Sequence, residues 1–365
     1  MISIEASRSA LLPIFRQYQA HLTVYMLNPK CLAKYREAFR PSGSKDDLLD
    51  CQLLADIVIA HPDQLHPWPL EDPQTEWLAA LVEDRRKLVD ARTLGANQLK
   101  AQIKLYYPQA LAFLNDDLTT ELAAEFILKW PALALLQQAK PQAIRKFILA
   151  RKHRITAALE DAIGELPKAK AVTDRASTLE PAMRYAQALA KQLQTLHPLI
   201  KAYDQEIEQQ CQLHPMRPIV AELPGAGPVF QARLLAALGG LALEDQPAVK
   251  LAAKSGIAPV RQASGKTEVI HRRYAFPHFL HQTFLEYADH SAKCCPWASA
   301  FVVYKKAKGW KYYRILRALA YKWIRIFVAL IRSGESYNEI RYLTALGKHQ
   351  CLYLEAGKPS KTTKD

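Results

Sequence analysis

The chain has 365 residues, half of them hydrophobic, enough to bury sizeable cores and to suggest two or three domains rather than one. The longest apolar stretch near its C-terminal end, residues 315–331, is broken by Arg317, Lys322 and Arg325, which argues against a membrane span. The net charge of +14 falls entirely in the last third: residues 250–365 hold 21 Lys and Arg against 7 Asp and Glu, whereas residues 1–249 hold 28 of each.

At the start, MISIEASRSALLPIF lacks the basic lead, long apolar core and small-residue cleavage site of a secretory signal, so a cytoplasmic location is expected. Residues 22–27, LTVYML, read as a short buried strand that Asn28-Pro29 ends, because proline cannot continue a central ladder. Helical patterns at 9–20 and 30–39 flank it and predict an α/β fragment. A polar turn at 41–47 leads into a helix bearing Leu48, Leu49, Leu53, Leu54 and Ile57, with acidic residues at its positive end. Four prolines from Pro62 to Pro73 mark a break.

The text then turns helical for most of the stretch to residue 213. One long amphipathic helix is predicted over 76–105, and two or three shorter ones over 124–166, separated by Pro131 and Pro141. From Leu179 to Ile207, apolar residues step by three and four in a heptad seam that Pro198 is expected to interrupt. The seam fits an intramolecular helical hairpin or a coiled coil between subunits.

At His214-Pro215 the composition changes. LPGAGPVFQARLLAALG sets Gly225 and Gly227 in a tight turn before a helix, where backbone N–H groups could meet a phosphate oxygen; a plain packing turn is the other reading. In KLAAKSGIAPVRQASGKTEVIHRR, Ser264-Gly265 stands among Arg261, Lys266, Arg272 and Arg273. A serine that attacks a phosphodiester needs an accessible hydroxyl and positive charge to stabilise the phosphorane, and guanidinium forks match phosphate oxygens. Taken alone, a serine before a glycine is an ordinary turn residue, and Ser255-Gly256 is a rival. A helix predicted over 310–332 puts Lys311, Arg314, Lys322, Arg325 and Arg332 on one face and Ile315, Leu319, Ile326 and Phe327 on the other. No acid lies between Asp289 and Glu335, so this face suits a phosphate track better than a mixed-sign solvated surface.

Asp47 and Asp50, three apart at a helix start, point the same way and could hold a divalent metal with Glu5 as third ligand, although such pairs usually serve as caps. The six cysteines show no metal-ligand or disulfide spacing and are expected mostly to fill cores in a reducing compartment.

In this order the pieces resemble the DEDD/serine transposases of bacterial insertion sequences, the insertion-sequence-110 family. IEAS is similar to its glutamate motif, YMLNP to the strand and Asn-Pro that follow, KDDLLDC to a Lys-x-Asp-x-x-Asp-Ala motif, LPGAGPV to its glycine hairpin, KLAAKSGIAPVRQASGK to its glycine-and-serine block, and LIRSGESY to its closing helix and turn. The likeness implies a mostly α chain: a partial RNase H-like (RuvC-type) α/β fragment over 1–74, a helical coiled-coil region over 75–213, a serine transposase domain with a helix-hairpin-helix-like turn over 214–345, and a basic tail over 346–365. It implies Ser264 as nucleophile, Glu5, Asp47 and Asp50 as three of four acidic ligands to Mg2+, DNA as substrate, a structured noncoding guide RNA, a homo-oligomer and a nucleoid-associated protein. The family's first aspartate lies on a strand well before the glutamate motif, whereas four residues precede Glu5, so a shortened metal-binding domain is expected. Ser7-Arg8 also replaces the glycine usual after that motif. A non-catalytic nucleic-acid-binding relic or regulator is the alternative.

Overall fold

The computed structural model describes residues 1–5, 11–18, 20–39, 46–65, 67–68, 72–239, 247–265, 267–274 and 276–348. They form two compact units, Met1–Asp72 and Pro73–Asp365. The chain is mostly helical, and no helix among the described residues is long and apolar enough to cross a membrane.

The first unit runs β1 (Ile2–Glu5), α1 (Leu12–Gln17), β2 (Val24–Leu27), α2 (Pro29–Phe39) and α3 (Asp47–Ala60). β1 and β2 pair in parallel, Ile2 opposite Val24 and Glu5 opposite Leu27, so the chain must cross over between them, and α1 lies on that crossover. Asn28 ends β2 as expected, its Oδ1 accepting the Lys30 N–H at 2.9 Å beside Pro29, the first residue of α2. The cap of α3 is Asp46, whose carboxylate accepts the Leu48 N–H at 3.2 Å. Leu27, Leu32, Leu53 and Ile57 close this unit's core.

The second unit holds α4 (Pro73–Tyr106), α5 (Ala110–Phe113), α6 (Glu121–Lys129), α7 (Leu133–Gln137), α8 (Pro141–Leu149), α9 (Ala157–Glu165), α10 (Ala176–Leu213), α11 (Arg217–Ala221), α12 (Pro228–Leu238), α13 (Pro247–Lys254), β3 (Val260–Ser264), β4 (Thr267–His271), α14 (His278–Cys294), α15 (Pro296–Ala307), α16 (Tyr312–Ser333) and α17 (Glu339–Lys348). The heptad seam lies on α10, one helix through both Pro181 and Pro198, so the expected interruption does not occur. Pro198 is exposed, where water can meet the carbonyl that its missing N–H leaves unpaired. The seam packs on α4 within the chain, antiparallel: Trp77 Nε1 donates to Glu206, Arg85 to Asp204 and Gln102 to the Ala182 carbonyl. At Gly95 the helices come so close that a Cβ would lie 3.3 Å from Leu193 Cδ2.

This helical hairpin joins two cores. The C-terminal half of α4 and the N-terminal half of α10 close over α5–α9 around Leu99, Phe126, Ile144 and Leu193. The opposite end of the hairpin, with Leu78, Leu81, Ile207 and Cys211, enters a second core with Leu235, Phe284, Trp297 and Trp323, so the boundary read at 213–214 runs through shared packing. The second core is aromatic, with the Trp297 and Trp323 rings 4.9 Å apart. Their buried N–H groups are satisfied: Trp323 donates to Ser291 Oγ at 2.8 Å and Trp297 to the Tyr337 hydroxyl at 2.9 Å. Cys211 and Cys295 fill this core as expected, whereas Cys31, Cys51 and Cys294 are exposed.

Candidate functional site

β3 and β4 form an antiparallel hairpin, Val260 opposite His271 and Ser264 opposite Thr267. Only Gly265 and Lys266 lie between the strands, and Gly265 has φ +56°, a left-handed value that a tight hairpin turn demands and glycine meets without strain. Lys266 lies outside the described residues. Ser264 is therefore the last strand residue before the tip, and it is exposed. Its rival Ser255 is fully buried, its hydroxyl donating to the Ala252 carbonyl at 3.4 Å, so it cannot meet a substrate.

The cations expected around Ser264 are not all beside it. Directly paired residues share a face, so Ser264 sides with Thr267, Gln262 and Val269. Arg261 lies on the opposite face, where its guanidinium pairs with Glu268 at 2.8 Å. Arg272 and Arg273 follow β4 at the hairpin's base, beyond the Val260–His271 pair that is itself four steps, or roughly 13 Å at strand rise, from the tip pair.

At that base the arginines meet α16. Arg272, Arg273, Arg314 and Arg317 border a cleft of about 730 Å³ whose apolar lining includes Ile257, Ala258 and Tyr321. No ion pair joins any of the four to a carboxylate among the described residues. Arg314 stacks on Trp310, its Cζ 4.0 Å from the ring centroid, and Arg273 Nε is buried without a hydrogen-bond partner among the described residues. Burial, followed by the charges of Arg272 and Arg314, lowers the Arg317 pKa. Beneath the cleft, His281 stacks on Phe276 at 4.3 Å and its Nδ1 meets the Ser255 carbonyl at 2.9 Å. Burial, with nearby Arg272, Arg317 and His278, holds the His281 imidazolium pKa below its usual value. Lys311 is exposed at the start of α16 and Arg325 is exposed farther along it. Lys322 is half-buried, its Nζ 5.3 Å from the Phe301 centroid. Arg317 was absent from the expected set, although its i+3 spacing from Arg314 marks the same face.

The glycine turn packs closely against α14. Gly225 has φ +73°, and a Cβ there would lie 2.8 Å from His290 Cδ2. The Gly227 N–H donates to the Gly225 carbonyl at 3.1 Å, and Pro228 has no N–H, so two amides at the start of α12 are not open to a phosphate.

In the first unit, Glu5 and Asp47 are exposed, and Asp50 is held by both arms of Arg36, with Nε–Oδ1 at 2.8 Å and Nη2–Oδ2 at 2.6 Å. Among the described residues no three His, Cys, Asp or Glu side chains gather as a metal site. With Asp50 held by Arg36 and Glu5 and Asp47 exposed, the described side chains as placed do not form a closed Mg2+ ligand set.

One family profile, described as Transposase, matches residues 2–108, and a second, described as the Transposase IS116/IS110/IS902 family, matches residues 217–303, which include Ser264 and the hairpin. The chain is 24% identical to the insertion element IS110 43.6 kDa protein of Streptomyces coelicolor, over 82% of this chain and 73% of that one. It is 25% identical to the mini-circle protein for IS117 of the same organism, over 84% and 75%, and 25% identical to the insertion element IS900 42 kDa protein of Mycobacterium paratuberculosis, over 82% and 74%.

Proposed function

The chain belongs to the IS110 family of transposases, and from that premise we propose that it cuts and rejoins DNA strands through Ser264. The Ser264 oxygen attacks a backbone phosphorus, a phosphoserine ester forms, and the bridging P–O bond breaks to leave a strand end as a hydroxyl that takes up a proton. A second strand end then attacks the phosphoserine and frees the serine, so the DNA is resealed without hydrolysis. The observation that supports this reading most is the exposed hydroxyl at the tip of a two-stranded ribbon, in the module that carries all the net charge. The same proposal includes a structured noncoding RNA as guide, a homo-oligomer as the working form and association with the nucleoid, since one basic surface serves both polyanions.

A specific observation favours a second reading. Asp50 is committed to Arg36, and no three-ligand acidic group forms among the described residues, as expected of a family member that binds nucleic acid without cutting it. Incubating the full chain with DNA carrying the element's ends separates the two. The first reading predicts nicked and exchanged strands that vanish in Ser264→Ala, with DNA affinity retained. Equal strand exchange by Ser264→Ala would refute a nucleophilic Ser264, and binding without nicking by the unaltered chain would favour the second reading.

A further inference from the structure

We infer that the cleft between the hairpin base and α16 holds an unpaired nucleotide, its base against Tyr321 and the apolar floor and its flanking phosphates on Arg272, Arg273, Arg314 and Arg317. Four guanidinium groups converge there without a carboxylate partner among the described residues, an arrangement that repels itself until anions enter. The buried, unpaired Nε of Arg273 is one donor in want of an acceptor. Depression of the Arg317 pKa by burial and by its cationic neighbours agrees with a site built for negative charge.

Charge alone would suit any stretch of duplex. The floor is what selects: Ile257, buried at 3% exposure, Ala258 and Ala318 offer nothing to phosphate, and together with the Tyr321 ring they suit the face of a base. A volume of about 730 Å³ lies in the range of sites that enclose one small organic molecule. A base stacked inside a duplex cannot reach such a floor, whereas one in a single strand, or flipped from a helix, can. Trp310 is already covered by Arg314 and by Lys305, whose Nζ is 4.2 Å from its centroid, which leaves Tyr321 as the stacking ring.

The inference rests on the chain handling nucleic-acid strands but not on a nucleophilic Ser264, so it is tested in the full chain carrying Ser264→Ala. The probes are a fluorescent twelve-residue single strand, as DNA and as RNA, and the corresponding DNA duplex, together with a strand bearing 2-aminopurine, which brightens when unstacked from its neighbours. Arg317→Met is expected to raise Tm, because like-charge repulsion is relieved, and to weaken single-strand binding about tenfold while duplex binding changes less than threefold. Tyr321→Leu is expected to abolish the 2-aminopurine response, and Lys201→Ala, an equal charge loss on α10, to change nothing. The tighter of the DNA and RNA strands identifies the source of the nucleotide. Equal losses for single strand and duplex in Arg317→Met, or no 2-aminopurine response in the parent, would overturn the inference.

Discussion

Arg233 carries a charge into the second core at 7% exposure, and its surroundings show how the module tolerates it. Its Nε donates to Thr283 Oγ1 at 3.1 Å and its Nη1 to Glu286 at 2.6 Å, while Arg86 approaches the other oxygen of Glu286 at 3.5 Å. One carboxylate thus serves two guanidiniums. Glu286→Ala leaves the buried cation without its counter-charge and is expected to lower unfolding free energy by about 3 kcal/mol in urea denaturation, the low end for a broken buried pair because Glu286 is itself partly exposed. A loss below about 1 kcal/mol would mean that solvent reaches Arg233. His281 gives a pH prediction. Its folded pKa lies below the unfolded 6.5, so the unfolded chain binds the extra proton first, and the stability it contributes at neutral pH is lost as pH falls through and below 6.5. His281→Phe, which keeps a ring against Phe276, is expected to flatten Tm against pH in that window; an unchanged slope would assign the acid sensitivity elsewhere. At Asp50 the bidentate hold of Arg36 competes with any metal, so Arg36→Ala is expected to strengthen Mg2+ binding by calorimetry, and an unchanged affinity would show that Arg36 does not withhold this carboxylate.

Among the elements, those with a long apolar period were readable from sequence. α4, α10 and α16 lie where the three-and-four spacing put them, because a helix that buries a continuous stripe writes that stripe into its sequence. The heptad seam allowed two partners; within this chain α10 packs on α4. Leu193, fully buried in that seam, makes Leu193→Ala a test of the packing: a loss of about 2–5 kcal/mol is expected, and a loss near zero would contradict it. The hairpin was less legible. VRQAS and TEVIH flank Gly-Lys with β-branched residues, but nearly all of them are exposed, so no buried alternation announces the strands. Ser264 is singled out as a candidate only through family motifs, since nothing local distinguishes it from a turn serine. The cleft was not legible at all, because Ile257, Arg273 and Arg317 meet only through tertiary packing.

For the whole molecule, charge placement is the feature that sequence and structure share most directly. The excess of cations after residue 250 includes four arginines, without a carboxylate partner among the described residues, at the foot of the ribbon whose tip bears Ser264. Binding of single strands is expected to weaken with salt, and removing Arg314 and Arg317 together to reduce the slope of log K against log salt by about 1.4, the value for two released phosphate contacts. An unchanged slope would place the phosphates elsewhere. The claim on which the functional reading turns is the bond between Ser264 and DNA. The most direct test is to denature the full chain during reaction with element-end DNA, digest protein and DNA, and locate the modified peptide by mass spectrometry. A nucleotide phosphate on the peptide that spans Gln262 to Ser264 is the predicted result. An adduct on any other residue, or cleaved DNA with no adduct at all, would contradict it.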